Sequence, residues 1–288
     1  MLSLLSCACL LSTAWPLWLL WRSMSRTALR SACVWAGLAA GVWAVVAGMA
    51  VLEREPGDWI ELGLLRLLSS GLLLAPIVAV FGARRPGEAA WNLIVLGLLV
   101  VFTLPVLEQW LLGKQLETDR VGMDGPRFTF YAIVVFVGSV NYLPTRFAPA
   151  ALLLAMSLGF QITALGPWHI GSVETIAILL AIAAVLASAA VWVGLALSGK
   201  SRPAGTEFGM TAAWLRLRDG WGLVWSMRLR NRWNAAAQHY GWNMRLNWNG
   251  FAGLNADESL TTQDIASAAD QFALLLRRFV DPSLWMPP

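Results

Sequence analysis

Apolar runs long enough to cross a bilayer constrain this chain more than any other feature. A helix crossing about 30 Å of hydrocarbon needs about 20 mostly apolar residues. Six segments reach that length: about 2–21, 31–52, 60–81, 91–112, 147–165 and 174–197. A seventh, about 128–143, is shorter. Its Phe128, Phe130, Tyr131 and Tyr142 suit interfacial ends, while Asn141 and Pro144 weaken it. Unpaired backbone groups are too costly in lipid, so such runs fold as helices. The expected fold is an all-α polytopic membrane protein: about seven transmembrane helices over residues 1–198, then a small C-terminal α+β unit. Composition agrees, with 58% hydrophobic and 13% charged residues. An ordinary soluble globule, a disordered chain and a fibrous repeat are excluded on that balance.

Charge orients the bundle. No Lys or Arg precedes the first run, and Arg22, Arg26 and Arg30 follow it, so it reads as an uncleaved span with its N-terminus outside. Loops 1, 3 and 5 hold Arg22, Arg26, Arg30, Arg84, Arg85 and Arg146, against Arg54, Lys114, Arg120 and Arg127 in loops 2, 4 and 6. The chain after the last span adds ten basic residues, against seven acidic ones, to the first set. Odd loops and the C-terminus are therefore expected in the cytoplasm, in a bacterial-type cytoplasmic membrane. The net charge of +4 is too small to argue for nucleic acid. The partners expected are the lipid bilayer and a protein bound through the tail.

Residues 199–210, rich in Gly, Ser, Pro and charge, read as a linker, and 211–288 as the cytoplasmic tail unit. Periodicity predicts a helix over 211–238. Trp214, Leu217, Trp221, Val224 and Trp225 share one side, and Arg216, Asp219 and Arg230 lie opposite. Arg228 and Arg232 fall below the apolar arc, where they can snorkel, and Gly220 and Gly222 invite a bend. Trp and Arg on one amphipathic helix suit a membrane interface or a docked partner; packing within a small domain fits the pattern equally well. Residues 243–251 alternate as a half-buried strand, with Met244, Leu246 and Trp248 on one face and no clear second strand. A last helix is expected over about 262–280, capped by Thr261 and ended at Asp281-Pro282.

The familiar catalytic motifs are weak here. Gly194 to Ser201 matches the phosphate-loop pattern, but its first glycine lies in a membrane span and Arg202-Pro203 follows. The bland reading is a helix end with Gly199 at the cap. His169 and His239 fall on opposite sides of the membrane, and no H-E-x-x-H or G-x-S-x-G occurs. Cys7, Cys9 and Cys33 lie in apolar runs. No metal or cofactor is expected.

Ionisable and polar groups within spans carry the remaining argument, since their burial is costly. Arg66 and Glu108 lie at similar depths in the outer half of neighbouring spans, and Gln161, His169 and Glu174 reach the same side. They form a candidate polar pocket for a solute, lipid headgroup or proton. A structural Arg66–Glu108 pair is the blander alternative. Gly37 and Gly41 form a GxxxG suited to close helix packing. A non-catalytic membrane component with a docking tail is the leading expectation. A transporter or channel subunit, or an enzyme acting on a lipid or isoprenoid, are the alternatives.

Overall fold

The computed structural model describes residues 1–24, 26–52, 59–84, 88–111, 123–166, 172–199, 209–253 and 262–281. Its helices are α1 (Leu2–Ser12), α2 (Ala14–Ser23), α3 (Arg30–Leu52), α4 (Trp59–Phe81), α5 (Glu88–Leu111), α6 (Gly125–Tyr142), α7 (Ala148–Leu165), α8 (Val173–Gly199), α9 (Gly209–Tyr240) and α10 (Thr262–Leu276). Two short strands, β1 (Met244–Asn247) and β2 (Gly250–Gly253), lie between α9 and α10. Five helices among the described residues are long and apolar enough to cross a membrane: Leu2–Ser23, Arg30–Leu52, Gly63–Phe81, Ala148–Leu165 and Glu174–Gly199. The expected spans near 91–112 and 128–143 correspond to α5 and to the 18-residue α6.

The first span is broken where α1 meets α2. Thr13 folds its hydroxyl back onto Leu10 O at 2.6 Å, and its N–H turns to the same carbonyl at 3.0 Å. Pro16, one turn on, has no N–H to return to Ser12. The two residues together tighten and interrupt the ladder.

The helices close a ring: α1 packs on α3 and α8, α3 on α4, α4 on α6, α6 on α7, and α7 on α8, with α5 outside against α4. Small residues allow the tightest approaches. Ala44 and Ala47 of α3 and Ala183, Ala184 and Ala187 of α8 share one core with Leu10 of α1 and Trp43. Ser157 crosses from α7 to α8, donating to Ala183 O at 2.6 Å. Gly37 and Gly41 have no such role within the chain. A methyl group at either would meet nothing within 4 Å, and both border an open groove between α1, α2 and α3.

The tail sits on one end of this ring. That end carries loops 1, 3 and 5: Ala28, Leu29 and Ala83 are buried in the same core as Trp214, Trp221, Trp233 and Phe272. Its last described residues return to loop 1, where Ala28 N donates to Phe279 O at 2.8 Å and Thr27 bridges Val280. The single expected strand is a hairpin. The alternation of buried Met244 and Leu246 with exposed Arg245 and Asn247 holds, but Trp248 and Asn249 turn the chain. Gly250, at φ +136°, takes a backbone conformation few other residues adopt. The strand partner is thus residues 250–253.

Candidate functional site

Helix α9 is two helices joined at Gly222, whose φ of 74° and ψ of −165° are accessible essentially to glycine alone. The break is held by Asn141 at the end of α6. Its amide nitrogen donates to Trp221 O at 3.2 Å, and its oxygen accepts from Val224 N at 3.0 Å. One side-chain amide thus serves the last carbonyl before the break and an N–H just after it. Tyr142, the next residue, donates its hydroxyl to Gly220 O at 2.9 Å. Asn141, which weakens 128–143 as an apolar run, is a docking residue.

The tryptophans turn inward. Trp221 donates to Ala83 O at 2.7 Å and Trp225 to Val80 O at 3.3 Å; Trp91 of α5 donates to Val78 O at 2.9 Å. Three indole N–H groups therefore serve carbonyls at and just beyond the C-terminus of α4. Trp214 and Trp221 are fully buried, and Trp225 is buried with Phe279 edge-on to its ring. The expected Trp face for a membrane or partner is instead the core between tail and bundle. The arginines flanking it behave differently. Arg228 and Arg232 are exposed, and Arg228 and Arg84 each lie over the Trp225 ring, at 5.1 and 5.5 Å.

Asp219, expected on the solvent face of its helix, is also buried. Arg218 Nε and Nη2 donate to its Oδ1 at 3.1 and 2.9 Å, and Arg146 Nε lies 3.3 Å from its Oδ2. Arg218 Nη1 and Trp214 Nε1 both donate to Trp248 O, at 3.0 and 3.1 Å, while Trp248 Nε1 donates to Pro144 O at 3.2 Å. The hairpin turn, α9 and loop 5 are tied in one network. The reason is positional: this face of α9 lies against loop 5, where Arg146 supplies charge. In the sequence Arg146 registers only as a loop charge.

A chamber of about 290 Å³ lies beneath this network, walled by Leu20, Ile77, Val135, Leu154 and Val191 and roofed by Asp219 and Gly220. It occupies the tail-side half of the ring. The opposite half holds a much smaller cavity of about 50 Å³, where Arg66 and Gln161 come together with Ser6, Ser69 and Trp43. Gln161 is buried and accepts from the Tyr131 hydroxyl at 3.0 Å. Of the proposed polar pocket, then, Arg66 and Gln161 meet. Glu174 is exposed in the first turn of α8. His169 and the side chain of Glu108 lie outside the described residues, and so does the phosphate-loop lookalike after Gly199.

Among the described residues no three His, Cys, Asp or Glu side chains group as metal ligands, and the three cysteines are unpaired thiols. Comparison with family models, with curated proteins and with solved structures finds no match to this chain.

Proposed function

We propose that this is a seven-span component of a bacterial-type cytoplasmic membrane, without catalytic activity of its own. In this reading its cytoplasmic tail offers a basic face to an acidic protein partner. One observation carries it. The tail turns most of its large rings inward and, Arg218 and Arg230 apart, its described guanidinium groups outward, on the end of the bundle that bears loops 1, 3 and 5. Arg216, Arg228, Arg232, Arg245, Arg277 and Arg278 are all exposed, against Asp270 and Asp281 among the described residues. Arg22, Arg26, Arg30 and Arg84 are exposed at the same end, where the positive-inside rule places the cytoplasm. Clustered charge of one sign steers association and makes it salt-dependent. The spans needed beyond the five apolar helices are α5 and α6, which pack in the bundle with them.

Cysteine labelling in intact cells tests the orientation. Position 118 should react with an impermeant reagent and position 255 should not; the reverse pattern rejects the topology. Mild-detergent purification tests the docking role. A protein that co-purifies at low salt should be lost when Arg216, Arg232, Arg245 and Arg278 are changed to Gln together. Retention by that variant, or no co-purifying protein at low salt, rejects it. A lipid-handling role is the second reading, favoured by the apolar chamber beneath the Asp219 network.

A further inference from the structure

We infer that the groove between α1, α2 and α3 binds one anionic phospholipid, with an acyl chain along the glycines of α3 and the phosphate between Arg22 and Arg30. This inference goes beyond the docking role of the tail. It rests on the bundle spanning a membrane, whichever side the tail faces.

The groove has a volume of about 360 Å³, within the range of small-ligand pockets, about 300 to 1,000 Å³. It follows the break in the first span, where Leu10, Thr13 and Ala14 border it at the junction of α1 and α2. Leu17, Trp18 and Trp21 of α2 form one wall. Val34, Gly37, Gly41 and Ala44 of α3 form the other, a row at helical spacings of three and four. The two glycines leave the trough empty, since a methyl group at either would meet nothing within 4 Å. The Thr13 hydroxyl is committed to Leu10 O at 2.6 Å, so these walls offer little to hold water. Leu11, Trp18 and Val34 are exposed along the rim, and the apolar fluid next to such a bundle is acyl chain.

Charge selects the headgroup. Trp18 and Trp21, both in the groove wall, each lie under a guanidinium: Arg22 is 4.7 Å from the Trp18 ring centre and Arg30 5.2 Å from that of Trp21. Arg30 also continues the row of Val34, Gly37 and Gly41 by one turn. Both arginines are exposed, and among the described residues no carboxylate forms a salt bridge with either. An aromatic face orients a guanidinium without neutralising it. Both stand at the level where bundle and tail meet, because Met24 and Leu29, close to them in the chain, pack in the tail's core. At a bundle end of this kind, basic and indole side chains meet lipid phosphates. Two cations favour a headgroup of net negative charge, whereas a zwitterionic one brings its own ammonium to them. A second copy of the chain fits the groove less well. A two-fold axis along the membrane normal would gather four of these guanidinium groups at one end of the pair.

The full-length protein, stripped of lipid in detergent and titrated with phosphatidylglycerol or phosphatidylcholine of identical chains, tests the site by native mass spectrometry. A monomer should retain one phosphatidylglycerol, in preference to phosphatidylcholine by about tenfold. The double variant Arg22→Gln/Arg30→Gln should erase that preference, while Arg22→Lys/Arg30→Lys keeps most of it. Gly37→Leu/Gly41→Leu fills the trough and should lower phosphatidylglycerol retention about tenfold. Leucine is the stronger helix former, so α3 itself is not weakened by that change. Equal retention of the two lipids, no retained lipid, a preference that survives loss of both arginines, or undiminished retention by the filled variant overturns the inference. So does a dimer that excludes lipid, which would give the groove to a second copy. If the filled variant does not fold, a phosphatidylglycerol with a diazirine on its chain decides with the wild-type protein. Labelling of Val34, Gly37 or Gly41 supports the site. Labelling confined to outward residues elsewhere, such as Leu93 and Val101 of α5, rejects it.

Discussion

The bundle and the tail obey the same hydrophobic effect in opposite directions. Along the bundle, large apolar side chains face out: Leu93 and Val101 are each 69% exposed, and Trp15, Val45, Phe136 and Trp192 also point away from the ring. Inside it lie Ser69, Ser70, Ser157 and Gln161. In the tail the order is reversed. Trp214, Trp221, Trp233, Phe272 and Leu276 are buried, and among described tail residues only Tyr240 and Leu274 are large, apolar and exposed. A bundle that turns its greasiest residues outward is stable only where the surroundings are greasy. The inversion occurs across the layer of Val80, Ala83, Asn141 and Tyr142, which is where the proposed membrane reading assigns the boundary between lipid and water on this side.

The junction between the two regions should be the most sensitive place. Gly222→Val forces a β-branched residue into a glycine-only conformation. Its Cβ would overlap the Asn141 side chain and lie 2.6 Å from Asn141 O. Strain and overlap together should cost about 4 kcal/mol. The expected outcome is a tail that no longer docks, read as red-shifted tryptophan emission and rapid proteolysis after Ser198. Native-like emission would show that α9 does not need its break.

Asp219→Leu comes next, since it leaves Arg218 buried opposite an aliphatic group. Breaking such a pair costs about 3–5 kcal/mol, with the lower value expected because Arg146 can turn to solvent. The double variant Arg218→Leu/Asp219→Leu should recover part of the lost melting temperature. Strict additivity would mean that the two side chains do not depend on each other.

The contrast between regions is sharpest in a matched pair. Met156 lies midway along α7 and is 53% exposed; Leu274 lies on α10 and is 48% exposed. Met156→Lys should cost about 2.5–3.5 kcal/mol of insertion, because a charge at the centre of a span faces hydrocarbon. Leu274→Lys should change stability by less than about 0.5 kcal/mol, because it faces water. Membrane yield and melting temperature of the two variants compare them directly, and equal effects would break the assigned boundary. The smallest junction effect is expected for Trp221→Phe, which keeps most of the ring but leaves Ala83 O without its indole donor. That should cost about 1–2 kcal/mol in melting experiments.

The bundle was legible in the sequence because span length and apolar composition are local properties. The limits of α3, α4, α7 and α8 follow directly from their runs. The tail's helices were legible through periodicity, but which way their faces turned was not. Trp221 and Trp225 beside Arg228 fit a membrane interface and a protein core equally well, since both reward a buried ring with a satisfied N–H. Only tertiary placement, with Val80 O and Ala83 O waiting at the end of α4, decides between them. Asn141 misled for a related reason: a polar residue near the end of a span reads as a defect until its partner, the broken backbone at Gly222, is in view. Arg66 and Gln161 line one small cavity, while the side chain of Glu108, the partner expected for Arg66, lies outside the described residues. The Arg146–Asp219–Arg218 network was missed because its charges come from segments far apart in the chain.

The clasp between loop 1 and the end of α10 has a consequence for how the protein is made. Thr27 and Ala28 leave the ribosome about 250 residues before Phe279 and Val280, with which they pair. Every transmembrane helix after the first is synthesised in the interval. The tryptophan-rich core of the tail is also built on Ala83, from early in that interval, so it has no complete surface to fold against until the helices are in register. A misinserted or truncated chain would leave those indole rings uncovered, and exposed apolar segments of that kind are what quality-control proteases and chaperones recognise. The final docking of the tail thus serves as a checkpoint on biogenesis, closing only on a molecule whose membrane part is already assembled.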